Sequence, residues 1–159
     1  MRNIVTWHRL ARWLAVHRMP LLARLMDYAI RLVFSCWLPH QVTAGENLIL
    51  GYGGLAIVIH SDVIIGDNVH IDQGVTLGGN GTEYGVPRIE NNVYVGAGAK
   101  VLGPIRIGEG SVIGANAVVV DDVPPRSLVA GVPAKIIRSG INIQTFLYQK
   151  KSKPLCDCS

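Results

Sequence analysis

Two histidines, His60 and His70, are the side chains of this chain best suited to move a proton near neutral pH. His60 directly follows Ile59 and comes shortly after the glycine-rich stretch 51–54, while His70 precedes Ile71. A general base must lie within hydrogen-bond reach of the proton that it takes, and backbone N–H groups nearby can stabilise a negative charge that forms. A histidine near glycine-rich backbone offers both, so these two positions are the candidate general bases.

The other histidines and the cysteines do not indicate a second kind of chemistry. His8 and His17 lie among arginines, so we expect both on a polar helix face, and we expect His40 to be a solvated linker residue. Two of the three cysteines stand near the carboxyl end, and this odd count is typical of a reduced, cytoplasmic chain rather than of a disulfide framework. The sequence contains no recognisable metal-ligand spacing, so it predicts no metal.

An aliphatic residue recurs at every sixth position of the central sequence. Period six fits neither a helix nor an alternating strand, and it indicates a solenoid of short strands with three strands per coil of about 18 residues. The sequence therefore predicts a mainly β fold, a single-stranded parallel β-helix with a triangular cross-section. The recurring residues are Ile65, Ile71, Leu77, Ile89, Val95, Val101, Ile107, Ile113 and Val119.

The repeat is interrupted once, because Leu77 and Ile89 are twelve positions apart where the repeat spacing is six. This insertion is polar and rich in glycine, so we expect a loop, 78–88, at a corner of the prism, where repeat proteins often build a binding face. His60 lies one coil before Gly78, and neighbouring strands are about 4.8 Å apart, which predicts that His60 lies beneath the root of the loop. We therefore favour His60 over His70 as the base, the alternative for His70 being a surface stack on Tyr94.

The amino-terminal residues 1–40 differ from the rest in charge and periodicity. They read as two helices divided by Pro20, and they carry six arginines against one acid. One interpretation is a cap on the open end of the solenoid. The other is an amphipathic hairpin, residues 1–36, in peripheral contact with anionic lipid at the inner face of the membrane. Its most apolar run is too short to span a bilayer.

The predicted boundaries are a helical hairpin at 1–40, the β-helix at 41–138 and a carboxyl-terminal tail at 139–159. Residues 41–149 hold six basic and nine acidic residues, so the β-helix lacks the basic surface that nucleic acid requires.

Three motifs in the same order resemble the serine acetyltransferase family of left-handed β-helix acyltransferases. They are residues 73–79 (QGVTLGG), 96–103 (GAGAKVLG) and 130–135 (AGVPAK). The resemblance implies a left-handed coil, acetyl-CoA as the acyl donor, and a homotrimer with active sites in the grooves between subunits. It also implies that coenzyme A is bound by Gly78, Gly79, Ala97, Lys100, Ala115 and Lys135.

The chain departs from that family where the family keeps its catalytic groups. Tyr52-Gly53-Gly54 replaces the family's Asp-His, Gly85-Val86 replaces its Arg-His, and Trp37 aligns with the Asp that orients its base. The long helical domain of the family has no counterpart in the roughly 40 residues before the prism.

These departures favour the short branch of the family found in capsule and exopolysaccharide gene clusters. The sequence thus predicts an O-acetyltransferase that transfers the acetyl group directly to a sugar or polysaccharide precursor, with His60 as the base. Two alternatives stay open. One is a serine O-acetyltransferase with a relocated base, and the other is a non-catalytic trimeric scaffold.

Overall fold

The computed structural model describes residues 4–148, with side chains up to residue 145. Two helices come first, α1 at Ile4–Val16 and α2 at Pro20–Phe34. Proline stands at the first position of α2, where its missing N–H has no intrahelical partner to lose. The predicted helical hairpin with its division at Pro20 is therefore confirmed.

Short strands then wrap around three faces of a prism. Face 1 contains β1, β4, β7 and β10; face 2 contains β2, β5, β8, β11, β13 and β14; face 3 contains β3, β6, β9 and β12. The pairs along each face are parallel, except that β13 and β14 are antiparallel and close the prism. The strands are Thr43–Ala44 (β1), Ile49–Leu50 (β2), Val58–Ile59 (β3), Ile64–Ile65 (β4), His70–Ile71 (β5), Thr76–Gly78 (β6), Arg88–Ile89 (β7), Tyr94–Val95 (β8), Lys100–Leu102 (β9), Arg106–Ile107 (β10), Val112–Ile113 (β11), Val118–Val119 (β12), Ser127–Gly131 (β13) and Ala134–Ser139 (β14).

The strand register confirms the predicted parallel β-helix and its one long insertion. Val112 pairs with Tyr94, eighteen residues earlier, which is one regular coil. Tyr94 pairs with His70, twenty-four residues earlier, because the long loop adds six residues to that coil. The residue that recurs every six positions is buried throughout, as at Ile71 and Leu77, so stacked aliphatic layers fill the prism.

Asparagines hold the corner that follows face 1. Asn47, Asn68 and Asn92 all have positive φ, a conformation that asparagine tolerates better than most residues. Their side chains form a ladder, since Asn47 Nδ2 donates to Asn68 Oδ1 at 3.0 Å and Asn68 Nδ2 donates to Asn92 Oδ1 at 3.2 Å. The ladder fixes the stacking of successive coils.

The helical hairpin packs on the first coil. Ile4, Val5 and Ile30 join the same buried cluster as the prism. Polar contacts reinforce this docking, since Arg12 Nη1 donates to the Val42 carbonyl at 2.9 Å and Arg9 Nη2 lies 3.1 Å from Glu46 Oε2. The hairpin therefore covers the end of the prism, as the cap interpretation predicts.

Two of the histidine predictions were wrong because the docked hairpin buries them. His8 is not on a polar face, since it is fully buried. His40 is not a solvated linker, because its Nδ1 lies 2.6 Å from Asp27 Oδ2 and its backbone N–H donates to the same carboxylate. His17 is exposed, as predicted, and its ring lies against Trp13.

The buried His8 gives the hairpin a pH-dependent stability. Neither ring nitrogen has a partner at hydrogen-bond geometry among the described residues. Burial lowers the pKa of His8 because the apolar surroundings disfavour the charged ring; Arg12 acts in the same direction, and the nearby Pro39 backbone and Asp27 oppose both. The folded state therefore resists the proton that the unfolded chain accepts.

We expect the protein to lose stability as the pH falls from about 7 to about 5, because unfolded His8 binds a proton there before folded His8 does. Thermal unfolding of the native protein and of His8→Leu across this range measures the effect. The variant should lose less stability on acidification, since the two proteins share all their other ionisable groups. Equal losses in the two proteins would show that His8 does not cause the effect.

The remaining residues complete the outline. The predicted closing segment forms β13 and β14, and a short helix α3 follows at Ile143–Tyr148. No helix among the described residues is long and apolar enough to cross a membrane. The end of the predicted tail, including Cys156 and Cys158, lies outside the described residues.

Candidate active site

The first set of predicted site residues lies along the corner between faces 2 and 3, here called corner A (residues 51–54, 72–74, 96–98 and 114–116). Its coils are stacked by backbone hydrogen bonds, since Gly98 N–H donates to the Gln73 carbonyl and Asn116 N–H donates to the Ala97 carbonyl, both at 2.8 Å. Ala97 and Ala115 therefore stack in one column. Their methyl side chains project little from this corner.

Corner A ends at the strand that carries Lys135. A Cβ on Gly114 would come within 2.9 Å of the Ala130 Cβ, so Ala130 stacks on Gly114, one residue beside the column of Ala97 and Ala115. Ala130 pairs with Lys135 in the antiparallel closing strands, and Lys135 is exposed. A long thin ligand that followed the column would meet this ammonium group at its far end, where a phosphate would suit it as a point charge.

The second set lies at the corner between faces 3 and 1, here called corner B (residues 60–62, 78–87 and 103–104). His60 N–H donates to the Leu77 carbonyl at 2.9 Å, and Gly78 pairs with Leu102. His60 thus lies one coil below Gly78, where the sequence placed it. A Cβ on Gly78 would meet nothing within 4 Å, so this corner is open beside its backbone.

The long loop at corner B is folded back on the prism. Asn80 Oδ1 accepts the N–H groups of Thr82 at 3.1 Å and Glu83 at 2.9 Å, which makes a turn near the root of the loop. Further along, a Cβ on Gly85 would lie 2.7 Å from the Pro104 Cβ, so only glycine fits this close approach. Tyr84 at the tip is fully exposed.

Face 3 separates the two corners within one chain. Lys100 lies on this face, and its Nζ donates to the Gly74 carbonyl of corner A at 2.7 Å. The predicted coenzyme A residues are therefore divided. Ala97, Ala115 and Lys135 lie on the corner A side, and Gly78 and Gly79 lie on the corner B side.

His60 is half exposed and faces a depression of about 440 Å³ between the prism and the hairpin, which Arg24, Tyr28 and Trp37 also line. Its Nδ1 accepts the backbone N–H of Asp62 at 3.3 Å. In the neutral ring this bond selects the tautomer whose proton is on Nε2. The nitrogen that points away from the backbone is then a donor rather than a base.

His70 has a different environment, at the start of corner A. Its Nε2 lies 3.2 Å from Asp72 Oδ1, and the hydroxyl of Tyr94 donates to Asp72 Oδ2 in a short hydrogen bond. The rings of His70 and Tyr94 meet edge to face at 5.2 Å. Burial raises the pKa of Tyr94 to about 12, and the Asp72 carboxylate adds to this, so the phenol keeps its proton at neutral pH.

Sequence reasoning recognised the stack of His70 and Tyr94 but missed Asp72, whose carboxylate lies against both side chains. The available signal was the spacing, because His70 and Asp72 are two residues apart at the end of a strand, where alternate side chains share a side. The carboxylate also lies beside the glycine-rich turn, since a Cβ on Gly51 would be 2.5 Å from Asp72 Oδ1. In that turn Tyr52-Gly53-Gly54 stands where the family that the sequence resembles has Asp-His.

Comparisons with known proteins agree with the repeat and the fold. Residues 87–121 match the family described as bacterial transferase hexapeptide (six repeats). A serine acetyltransferase of Synechococcus elongatus is 43% identical over 139 residues, which cover 86% of this chain and 57% of that protein. One of Bacillus subtilis is 38% identical over 154 residues, which cover 94% of this chain and 70% of that protein.

A solved structure shows the same architecture. The serine acetyltransferase of Brucella abortus in complex with coenzyme A superposes with a TM-score of 0.80 at 38% identity, over 86% of this chain and 56% of that chain. The repeat and this likeness define a left-handed β-helix of the hexapeptide-repeat acyltransferase class. The chain belongs to the serine acetyltransferase family of that class. It spans just over half the length of the Synechococcus and Brucella proteins.

Proposed function

We propose that this protein transfers the acetyl group of acetyl-CoA to a hydroxyl group, and that the acceptor is serine. The observation that carries the proposal is the column of small residues at corner A with Lys135 at its end, a track that suits the pantetheine arm and phosphates of coenzyme A. The bound coenzyme A of the Brucella relative supports the same donor. The relatives named above are serine acetyltransferases, which supports serine over the sugar acceptor favoured by the sequence alone.

The division of site residues between two corners supports a homotrimer. In a closed ring of three prisms, the same two surfaces of every subunit meet at each contact. Corner B of one subunit can then face corner A of the next, which joins Gly78 and Gly79 to Ala97 and Ala115 in one groove. Each active site would use two chains.

A sugar hydroxyl is the second candidate acceptor. The observation in its favour is the loss of the family's catalytic pairs, since Tyr52-Gly53 and Gly85-Val86 stand in their places. Groups that recognise free serine in the family are thereby replaced, while the small residues proposed to bind the donor are kept. This reading corresponds to the capsule and exopolysaccharide branch.

Release of the coenzyme A thiol tests the proposed function. The protein is incubated with acetyl-CoA and with serine, a nucleotide sugar or no acceptor. Serine-dependent release supports the proposal, whereas release that depends only on the sugar supports the second candidate. No release with any acceptor, together with trimer formation, would support the scaffold interpretation.

The proposal also includes peripheral membrane contact through the hairpin. Large apolar side chains are exposed along both helices, among them Trp13, Leu21, Leu25 and Leu32. The same segment carries the positive charge of the chain, with six arginines in residues 1–40. Apolar side chains combined with arginines are what an anionic lipid surface attracts.

Replacing Leu21 and Leu32 by serine is expected to abolish co-sedimentation with anionic phosphatidylserine vesicles at low salt. Both side chains are more than two-thirds exposed, so the core and the fold should be unaffected. Ile49→Ser, on an exposed prism position, is the matched control and should still sediment. If the native protein stays in solution at low salt, where attraction is least screened, the hairpin is only a cap.

A further inference from the structure

We propose that His70 is the general base of the acetyl transfer, and that Asp72 and Tyr94 are its positioning residues. This inference rests on the proposed function and names the group that carries out its proton transfer. It reverses the order of the two histidines favoured by the sequence.

The polar contacts of the two histidines give the first argument. Asp72 accepts from the Tyr94 hydroxyl through Oδ2, and its Oδ1 lies 3.2 Å from His70 Nε2. This second contact does not have the geometry of a hydrogen bond, but a carboxylate so close disfavours a lone pair on Nε2, so we infer that neutral His70 carries its proton on Nε2 and presents its lone pair at Nδ1. In His60 the Nδ1 lone pair accepts the Asp62 N–H. Among the described residues, His70 therefore has an unoccupied basic nitrogen and His60 does not.

The support of the two rings gives the second argument. Asp72 is mostly buried, and it is held by a phenol whose own ring contacts His70, so the three side chains fix one another. The carboxylate beside His60 is 4.0 Å away and two-thirds exposed. Exposed pairs at such distances contribute little. A general base needs a fixed orientation, which the cluster at His70 provides.

The position along corner A gives the third argument. Asp72 is the first residue of this corner in its coil, and Gly96, Gly114 and Ala130 are in register with it in the next three coils. Ala97 and Ala115 lie one residue further along the corner, and Lys135 lies one strand beyond Ala130. Corner A thus has a cation at one end and the His70 cluster at the other, about 19 Å apart for four strand spacings of about 4.8 Å. A donor with its phosphates at Lys135 would direct its thioester towards His70.

In the transfer step, Nδ1 of His70 takes the hydroxyl proton while the hydroxyl oxygen bonds to the thioester carbonyl carbon. The carbon–sulfur bond breaks as the acetyl ester forms, and sulfur leaves as the thiolate of coenzyme A. The thiolate takes the proton back from the imidazolium, which restores neutral His70. Asp72 stabilises the imidazolium that forms in between.

The test compares Asp72→Asn and Tyr94→Phe with the native protein and with Asp62→Asn, the same change beside the other histidine. Asp72→Asn should lower kcat by up to about 10⁴-fold, the loss that follows when the orienting Asp of a catalytic triad is replaced by Asn. Tyr94→Phe keeps the ring contact but loses one hydrogen bond to a charged group, so kcat should fall by about ten-fold. Asp62→Asn should change kcat by less than about three-fold.

The split between kcat and KM separates positioning from a merely structural role. Asp72 lies at the end of the strand that carries His70, and Tyr94 pairs with His70 from β8. A positioning residue acts on the proton transfer and not on donor binding, so Asp72→Asn should lower kcat and leave the KM for acetyl-CoA nearly unchanged. A raised KM with an unchanged kcat would overturn the positioning role.

A spectroscopic measurement keeps this inference distinct from the proposed function. Long-range ¹H–¹⁵N spectra of the native protein near pH 8 should show His70 with its proton on Nε2, whether or not the protein acetylates serine. A proton on Nδ1 would overturn the assignment of His70 as base even in an active enzyme. A protein with the expected tautomer but no acetyl transfer to any acceptor would overturn the proposed function, and the catalytic assignment with it.

Discussion

His70→Ala is expected to lower the turnover of acetyl-CoA by about 10²–10⁴-fold, the usual contribution of a positioned general base. The ring is partly exposed on face 2 and contributes no buried layer, so the variant should fold and assemble like the native protein. Its affinity for coenzyme A, measured by calorimetry, should be nearly unchanged, because the donor is expected to contact the alanines of corner A and Lys135.

His60→Ala is the matched control, since both residues are histidines at outward positions of the prism. It should lower turnover by less than about five-fold, because its lone pair is occupied and its carboxylate neighbour is distant. The opposite ranking would restore His60 as the base, as the stacking argument from the sequence predicts. A small effect of both substitutions would contradict a histidine mechanism and favour the scaffold.

Mixing two inactive variants is expected to restore activity, because each active site is proposed to join corner B of one subunit to corner A of the next. Gly78→Trp should block corner B without disturbing the fold, since a Cβ there meets no atom within 4 Å. His70→Ala disables corner A. In trimers refolded from an equal mixture, about a quarter of the grooves should combine two intact corners and regain native turnover.

The control for this experiment is each variant refolded alone, and both should stay inactive. Mixed trimers without activity, at a mixing ratio verified by mass spectrometry, would show that both corners act within one chain. A native protein that sediments as a monomer would contradict the shared groove directly.

The sequence predicted the β-helix because its period is local and redundant. A buried aliphatic residue every six positions specifies the strands, and the one break in phase specifies the long loop at Gly78. The same arithmetic placed His60 beneath that loop correctly. In repeats of this kind the contacts between distant residues can be predicted from the sequence, because each coil pairs only with its neighbours.

The contacts between the hairpin and the first coil could not be predicted from the six-residue period. His8 and His40 are polar residues in a helical and a linker sequence, so composition alone suggested solvent exposure for both. Their burial results from docking of α1 and α2 on the prism, which has no repeat to reveal it. The carboxylate of Asp72 was missed for a related reason, since its partner Tyr94 lies in the next coil, beyond the inserted loop.

The separation of corners A and B by face 3 would also explain how the chain can lack the family's catalytic pairs and still bind the donor in the way proposed. The proposed donor track consists of small residues at stacked corners, which the repeat itself favours. A base can be supplied from any outward position beside that track. His70 on β5 is such a position, next to the turn in which Tyr52 and Gly53 replace the family's Asp-His.

The most direct test of the central claim is to follow the acetyl group itself. The purified protein is incubated with acetyl-CoA labelled in its acetyl group, together with serine and a nucleotide sugar in the same reaction, and both acceptors are examined by mass spectrometry. We expect labelled O-acetylserine in amounts equal to the coenzyme A released, with the sugar unchanged. Label on the sugar with serine unchanged, or coenzyme A bound without any transfer, would contradict the central claim.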